Sequence, residues 1–222
     1  MNYDWDFSVL TPYLPALARG TWVTIELSII SSVLGTLLGV ALGIIYRLKP
    51  IDRVLLPIND MLRAIPLLVL IFFIYYFPYS EILGIPAPSA FVCAVTALTI
   101  AMAVYTADIV RAAVDGVSQG SIMGARSLGL QEKEIWRYIV LPDIFRQIIP
   151  SLMAFFIGNV RLSSLASVIG CEDVVFVARQ AIAQRFRSLE AWTIVALIYI
   201  VLVLPLSWAA RRLENSKWLK RR

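Results

Sequence analysis

Residues 22–46 run for 25 positions with a single charged side chain, Glu26. At about 1.5 Å per residue, a helix of that length exceeds the roughly 30 Å hydrocarbon core of a bilayer. Further apolar stretches follow at about 62–77, 89–105, 144–160 and 191–210. In lipid a spanning segment must satisfy its backbone amides internally, and runs of this length do so as helices. Hydrophobic residues make up 59% of the chain, well above the roughly 45–50% of soluble domains. The predicted fold class is an all-α integral membrane protein with five transmembrane helices.

Charge orients it. The chain has 20 Lys and Arg residues. Arg19, Arg161, Arg179, Arg185 and Arg187 fall in one set of alternate intervals; the remaining fifteen fall in the other set. Because basic residues accumulate on the cytosolic side, the prediction is N-terminus out and C-terminus in. The same bias explains the net charge of +5 without nucleic acid. Residues 1–20, interrupted by Pro12 and Pro15, are expected to be an interfacial lead-in with Tyr3, Trp5, Phe7 and Tyr13 at headgroup level. They carry Asp4 and Asp6 and no basic n-region, so they do not resemble a cleavable leader. A transmembrane domain is expected over 21–212 and a basic cytosolic tail over 213–222, anchored on anionic lipid.

The composition excludes several chemistries. With no histidine, His metal sites and Ser-His or Cys-His nucleophiles are absent, and no metal site is expected. Cys93 and Cys171 have no metal or redox spacing, which leaves them packing roles. No G-x-x-x-x-G-K-[ST] sequence occurs, so the chain has no phosphate-binding loop of that type. Glu26, near a span end, is almost the only ionisable group in the spans, too little for a proton relay. What remains is a conduit driven from outside itself. In the first span, Gly35, Gly39 and Gly43 repeat every four residues and form one face for close helix packing.

The longest polar interval, 108–142, separates the third and fourth spans. A helical lead-in over 108–117 is predicted to break at Gln119-Gly120. A short amphipathic helix over 121–128 follows, with Ile122, Met123, Ala125 and Leu128 as its apolar positions. Gly129 stands where a left-handed C′ residue is required, a conformation only glycine adopts cheaply. Glu132 and Glu134 then open another helix, the charge order that suits its dipole.

This interval resembles the cytosolic EAA loop of bacterial ABC importer permeases of the polar amino-acid branch (histidine, glutamate, glutamine, arginine and opine systems). The loop has the form E-A-A-x-x-x-G followed by L-P; Ala125, Gly129 and Leu141-Pro142 fall at its spacing, while Met123 and Gly124 replace its glutamate and first alanine. Three more stretches match in order: T-W-V-T-I-E-L-S from Thr21, R-A-I-P-L-L from Arg63, and S-S-L-A-S-V-I-G from Ser163. The last is similar to the family's L-K-D-T-S-L-x-S-V-I-G, with Arg161 for the lysine and Leu162 for the acid.

The resemblance implies a permease dimer, homo- or heteromeric, on a pair of ABC ATPase subunits that carry ATP and magnesium. The chain itself would be neither an enzyme nor a cofactor carrier. A periplasmic or lipid-anchored binding protein would deliver an amino acid across the bacterial inner membrane. Ser121, Ile122, Met123, Gly124, Ala125, Arg126, Leu128 and Gly129 would couple to the ATPase. Arg161, Ser163, Ser164, Ser167, Glu26 and Arg63 are candidates for the pathway. Arg161 has three readings: an ion pair with Glu26, a wet cavity, or a substrate carboxylate, the last leaning to an acidic amino acid. Arg63 is most simply an interface anchor and otherwise a gate. The alternative is a stand-alone secondary carrier or channel, disfavoured by the short chain and the lack of a second repeat.

Overall fold

The computed structural model describes residues 3–46 and 51–216. A 3-10 helix, Phe7–Tyr13, capped by Asp6, leads without a gap into α1, Leu14–Ile45. Pro12 lies inside that 3-10 helix and Pro15 in the first turn of α1, where a missing N–H costs nothing. Pro12 thus falls near the end of the 3-10 helix and Pro15 at the start of α1, and the helical path runs on through both.

Next come α2, Asp52–Ala64, and α3, Leu67–Tyr75, which meet at 97° across the extended residues Ile65 and Pro66. The apolar run suggests one span over 62–77 bent at Pro66. Instead the helix breaks there, because the residue before a proline is driven to the β region and Ile65 sits at ψ 121. Pro57 lies inside α2; Arg47, Lys49 and Pro50 are outside the described residues.

A single turn, α4, Tyr79–Ile82, precedes α5, Ala90–Asp115, which Ser89 caps by accepting from the Val92 N–H. After it come α6, Gln119–Ser127, and α7, Glu132–Ile135. Glu132 and Glu134 stand in the first turn of α7, and Glu134 accepts from the Gln131 N–H at 2.8 Å. A π-helical turn, Trp136–Val140, joins α7 to α8, Leu141–Leu162, so Pro142 marks a change of winding within one continuous helix. The 3-10 segment Ser163–Ile169, α9, Val174–Arg185, and α10, Ser188–Glu214, complete the chain. The stretch between the last two spans thus contains a packed helix, α9.

Among the described residues, four helical stretches have the length and hydropathy to cross a membrane, and the α2–α3 pair is the fifth candidate. Packing shows how it counts. Gly35, Gly39 and Gly43 of α1 lie against Met102, Thr106 and Val110 of α5. Both series ascend together, so α1 and α5 run parallel. The chain must return between them, and α3, nine residues long, lies on that return, packing Leu70 and Ile71 against Cys93, Ala94 and Ala97 of α5. In contrast, α8 runs antiparallel to α5, with the Tyr105 and Phe155 ring centres 5.0 Å apart and Val110 clustered with Ile144 and Ile148.

The α1–α5 seam is close because the glycines have no side chain. A Cβ at Gly39 would stand 2.4 Å from Thr106 Cβ and 2.5 Å from the Ala103 carbonyl oxygen. Both cysteines are buried, free thiols in the core cluster that also holds Leu27 and Ile169.

Candidate functional site

The polar interval forms a compact helical unit at the α6 end of α5. The break after α5 falls at Gly116-Val117-Ser118 and not at Gln119-Gly120. Ser118 is the N-cap of α6, accepting from the Ser121 N–H, and so draws Gln119 and Gly120 into the first turn. The short helix thus begins two residues earlier than its apolar pattern suggests.

Its end matches expectation. Gly129 has φ +84; its N–H donates to the Arg126 carbonyl at 3.0 Å, and the Leu130 N–H donates to the Ala125 carbonyl at 3.2 Å. This is a Schellman arrangement, in which two otherwise orphaned carbonyls are satisfied by the reversed chain. Ala125 is buried among Val110, Ile135, Ile144 and Ile148, with Ile122 and Leu130 packed beside them. Met123, 59% exposed, and Leu128, 81% exposed, have no cover among the described residues, and Ser121, Gly124 and Arg126 also lie on the surface. Arg126 Nε pairs with Glu132 at 2.7 Å, bracing the turn. A rigid base therefore presents a short helix with bare apolar side chains.

A second group of polar residues lies inside the bundle. Ser28, Ser31 and Ser32 on α1 are buried, and Asn159 on α8 donates to the Ser31 and Ser32 hydroxyls at 2.8 Å each. Ser28 Oγ approaches Ser163 at 3.4 Å, and Thr24 accepts from the Val174 N–H at 3.3 Å where α9 meets α1. In the sequence, hydroxyls at positions 24, 28, 31 and 32 share one helical face, a signal the glycine repeat overshadows.

The pathway candidates do not converge. Ser163 and Ser167 are buried, their segment ending in a left-handed Gly170 at φ +83. Ser164 and Arg161 line a cleft of about 470 Å³ with Val175, Tyr199, Ile200, Val203 and Leu204. Among the described residues no carboxylate lies within ion-pair range of Arg161. Glu26 instead accepts from the Trp22 indole N–H at 2.6 Å, so the suggested Glu26–Arg161 pair is not formed.

Arg63 belongs to a different network. Asp108 on α5 receives the Arg63 guanidinium, the Asn59 amide at 3.3 Å and Arg111 at 3.8 Å; Tyr46 in turn donates to Asn59 at 2.9 Å. Arg63 also lies over the Tyr105 ring, 5.5 Å from its centre.

Two acids absent from the sequence-based candidates are fully enclosed. Asp173 caps α9 through the Phe176 N–H at 2.8 Å, while its Oδ2 has no hydrogen-bond partner among the described residues; burial pushes its carboxyl up to about 7. Glu190 accepts from the Tyr3 hydroxyl at 2.6 Å and the Asp6 N–H at 3.2 Å, holding the N-terminal strap onto α10.

Residues 35–218 match the family described as "Binding-protein-dependent transport system inner membrane component". The chain is 32% identical to a probable amino-acid ABC transporter permease protein of Vibrio harveyi (PatM), over 95% of this chain and 97% of that one. It is 31% identical to the glutamine transport system permease protein of Escherichia coli K12 (GlnP), over 97% and 98% of the two chains. A crystal structure of an amino acid ABC transporter with histidines superposes with a TM-score of 0.86 at 30% identity, covering 96% of this chain and 99% of the other. The inward-facing MetNI methionine ABC transporter shares the fold at a TM-score of 0.74 and 22% identity, covering 91% and 96%. The chain belongs to the binding-protein-dependent inner membrane component family and is a multi-pass permease subunit of an ABC transporter.

Proposed function

We propose that this permease imports a polar amino acid, powered by separate ATPase subunits that engage α6. The observation that carries this reading is the geometry of α6: Ala125 fixed in the core while Met123 and Leu128 stand bare. ATP and magnesium reside on the partner, with two permease chains, identical or not, above two ATPases. On this reading the N-terminus is outside and the C-terminus inside, and α6 is the coupling helix on the cytosolic face. ATP-driven closure of the ATPases draws the paired α6 helices together. Because α6 shares one core cluster with α5 and α8, that motion reaches the spans.

An amino-acid cargo is supported by the relatives' names, which specify glutamine for one and an amino acid for another. A binding protein, periplasmic or lipid-anchored, delivers it. Arg161 offers a planar fork suited to a carboxylate, with the Ser164 hydroxyl beside it in the same cleft; this favours an acidic side chain over a basic one. Ser163, Ser167 and Glu26 flank the same end of the bundle, and Arg63 anchors α2.

The test is Gly129→Val. Among the described residues no atom lies within 4 Å of an added Cβ, so the effect comes from backbone strain, about 1–2 kcal/mol for a left-handed non-glycine residue. Uptake should fall severalfold while ATPase activity persists, because α6 loses its fixed exit. Unchanged uptake by the variant refutes the coupling role. ATPase stimulation by the liganded binding protein, compared for glutamate, glutamine and arginine, identifies the cargo.

A further inference from the structure

Helix α2 presents an apolar stripe that no described part of the chain covers. Ile51, Val54, Ile58, Met61 and Ile65 are all exposed, from 39% at Ile65 to 69% at Met61. At 100° per residue they fall within about 80° of arc, a continuous helical face. The other side of α2 is tied down: Asn59 is buried, and Asn59 and Arg63 both reach Asp108 of α5. The stripe therefore faces away from the bundle.

Two lengths show what it meets. The rings of Tyr75, Tyr76 and Tyr79 cluster with Phe72 and Phe77 at the far end of α3, and the amphipathic tyrosines favour a membrane–water boundary. Helix α5 begins beside them at Ala90, since Phe91 and Tyr75 pack on one cluster. Asp108 lies 18 positions further along α5, about 27 Å at 1.5 Å per residue, close to the ~30 Å hydrocarbon thickness. Helix α2 is attached at Asp108, hence at the opposite boundary. There its axis lies 97° from that of α3, the angle a helix along the surface makes with one that enters the hydrocarbon.

We propose that α2 is an interfacial helix, with the Ile51–Ile65 stripe seated in lipid at the boundary between headgroups and acyl chains. The exposed apolar residues of α3, Val69 and Phe73, continue the stripe into the hydrocarbon, and Arg53 and Asp60 border it on the polar side. Amphipathic helices bind membranes by this division of faces. The Asp108 network then holds a lipid-embedded helix against α5, the helix that leads into α6.

The test uses the full chain in phospholipid bilayers. Cys93 and Cys171 are buried, so single cysteines introduced by Val54→Cys, Ile58→Cys and Met61→Cys, and by Arg53→Cys and Asp60→Cys, carry the spin labels. At the stripe, collisions with oxygen should exceed those with a water-soluble nickel chelate severalfold, and the ratio should reverse at positions 53 and 60. Stripe labels shielded from both reagents place the face against a second copy or another subunit and overturn the proposal. Stripe labels reached mainly by the chelate place it in water and overturn the proposal equally. The unsubstituted protein gives an independent reading: a photoactivatable phospholipid should leave adducts on the peptide 51–65. Adducts confined to α1 and α10 refute the assignment.

Discussion

Replacing Gly39 by alanine probes the central seam of the fold. The added Cβ would sit 2.4 Å from Thr106 Cβ and 2.5 Å from the Ala103 carbonyl oxygen, where carbon atoms ordinarily approach to about 3.5–4.0 Å. A backbone carbonyl cannot swing aside, so α1 and α5 must separate by about 1 Å, and a gap of that size forfeits up to half the dispersion energy of the opposed atoms. Overpacking of this kind costs about 1–3 kcal/mol, and a chain of this size loses roughly 2–4 °C per kcal/mol. The apparent Tm in detergent should therefore fall by roughly 2–12 °C. Gly158→Ala is the control: no atom lies within 4 Å of its Cβ, and removing backbone freedom should leave stability unchanged or raise it by about 0.5–1 kcal/mol. The assay is fluorescence-detected size exclusion after heating, with both variants in the same detergent. Equal transitions for Gly39→Ala, Gly158→Ala and the parent would show that the seam is not close-packed, and the parallel α1–α5 arrangement would lose its main support.

Asn159→Ala removes the two 2.8 Å hydrogen bonds from α8 to α1; at about 0.6–2 kcal/mol each within a membrane, its loss in the same thermal assay should be comparable to that of Gly39→Ala, and an unchanged transition would show that these bonds contribute nothing. Asp173 should make stability depend on pH. Its carboxyl is raised from 3.8 to about 7 by burial, so the folded state holds a proton that the unfolded state releases. The associated stability is fully present below pH 3.8 and declines as pH rises to about 7. Asp173→Asn keeps an acceptor for the Phe176 N–H and should flatten this part of the profile; an unchanged profile assigns the dependence to other groups. In Asp108→Asn the charge facing Arg63 is lost, and proteolysis within 51–65 should accelerate relative to the parent; equal rates would mean the network does not hold α2.

Much of the fold is legible from short-range patterns. Apolar length locates the spans, the four-residue glycine repeat marks the packing face of α1, and a glycine after Leu128 marks the left-handed exit of α6. Each depends on free energies acting within a few residues. The start of α6 escapes the apolar pattern, which begins at Ile122, because Ser118 acts as a local cap and outweighs it. The helical nature of α2 is obscured by Pro57, which its surface position allows the helix to tolerate. Asn159 and the α1 hydroxyls carry a periodic signal but no indication of which helix they face.

The sequence by itself determined that this chain crosses a membrane as helices, that its polar interval forms a short helix with a sharp exit, and which transport family it resembles. Only the tertiary structure decided that Arg63 pairs with Asp108, that Glu26 and Arg161 stay apart, and that Asp173 is enclosed. Those outcomes depend on contacts between residues tens to more than a hundred positions apart. Which side chains meet across such distances is set by how whole helices pack, and no local pattern encodes it.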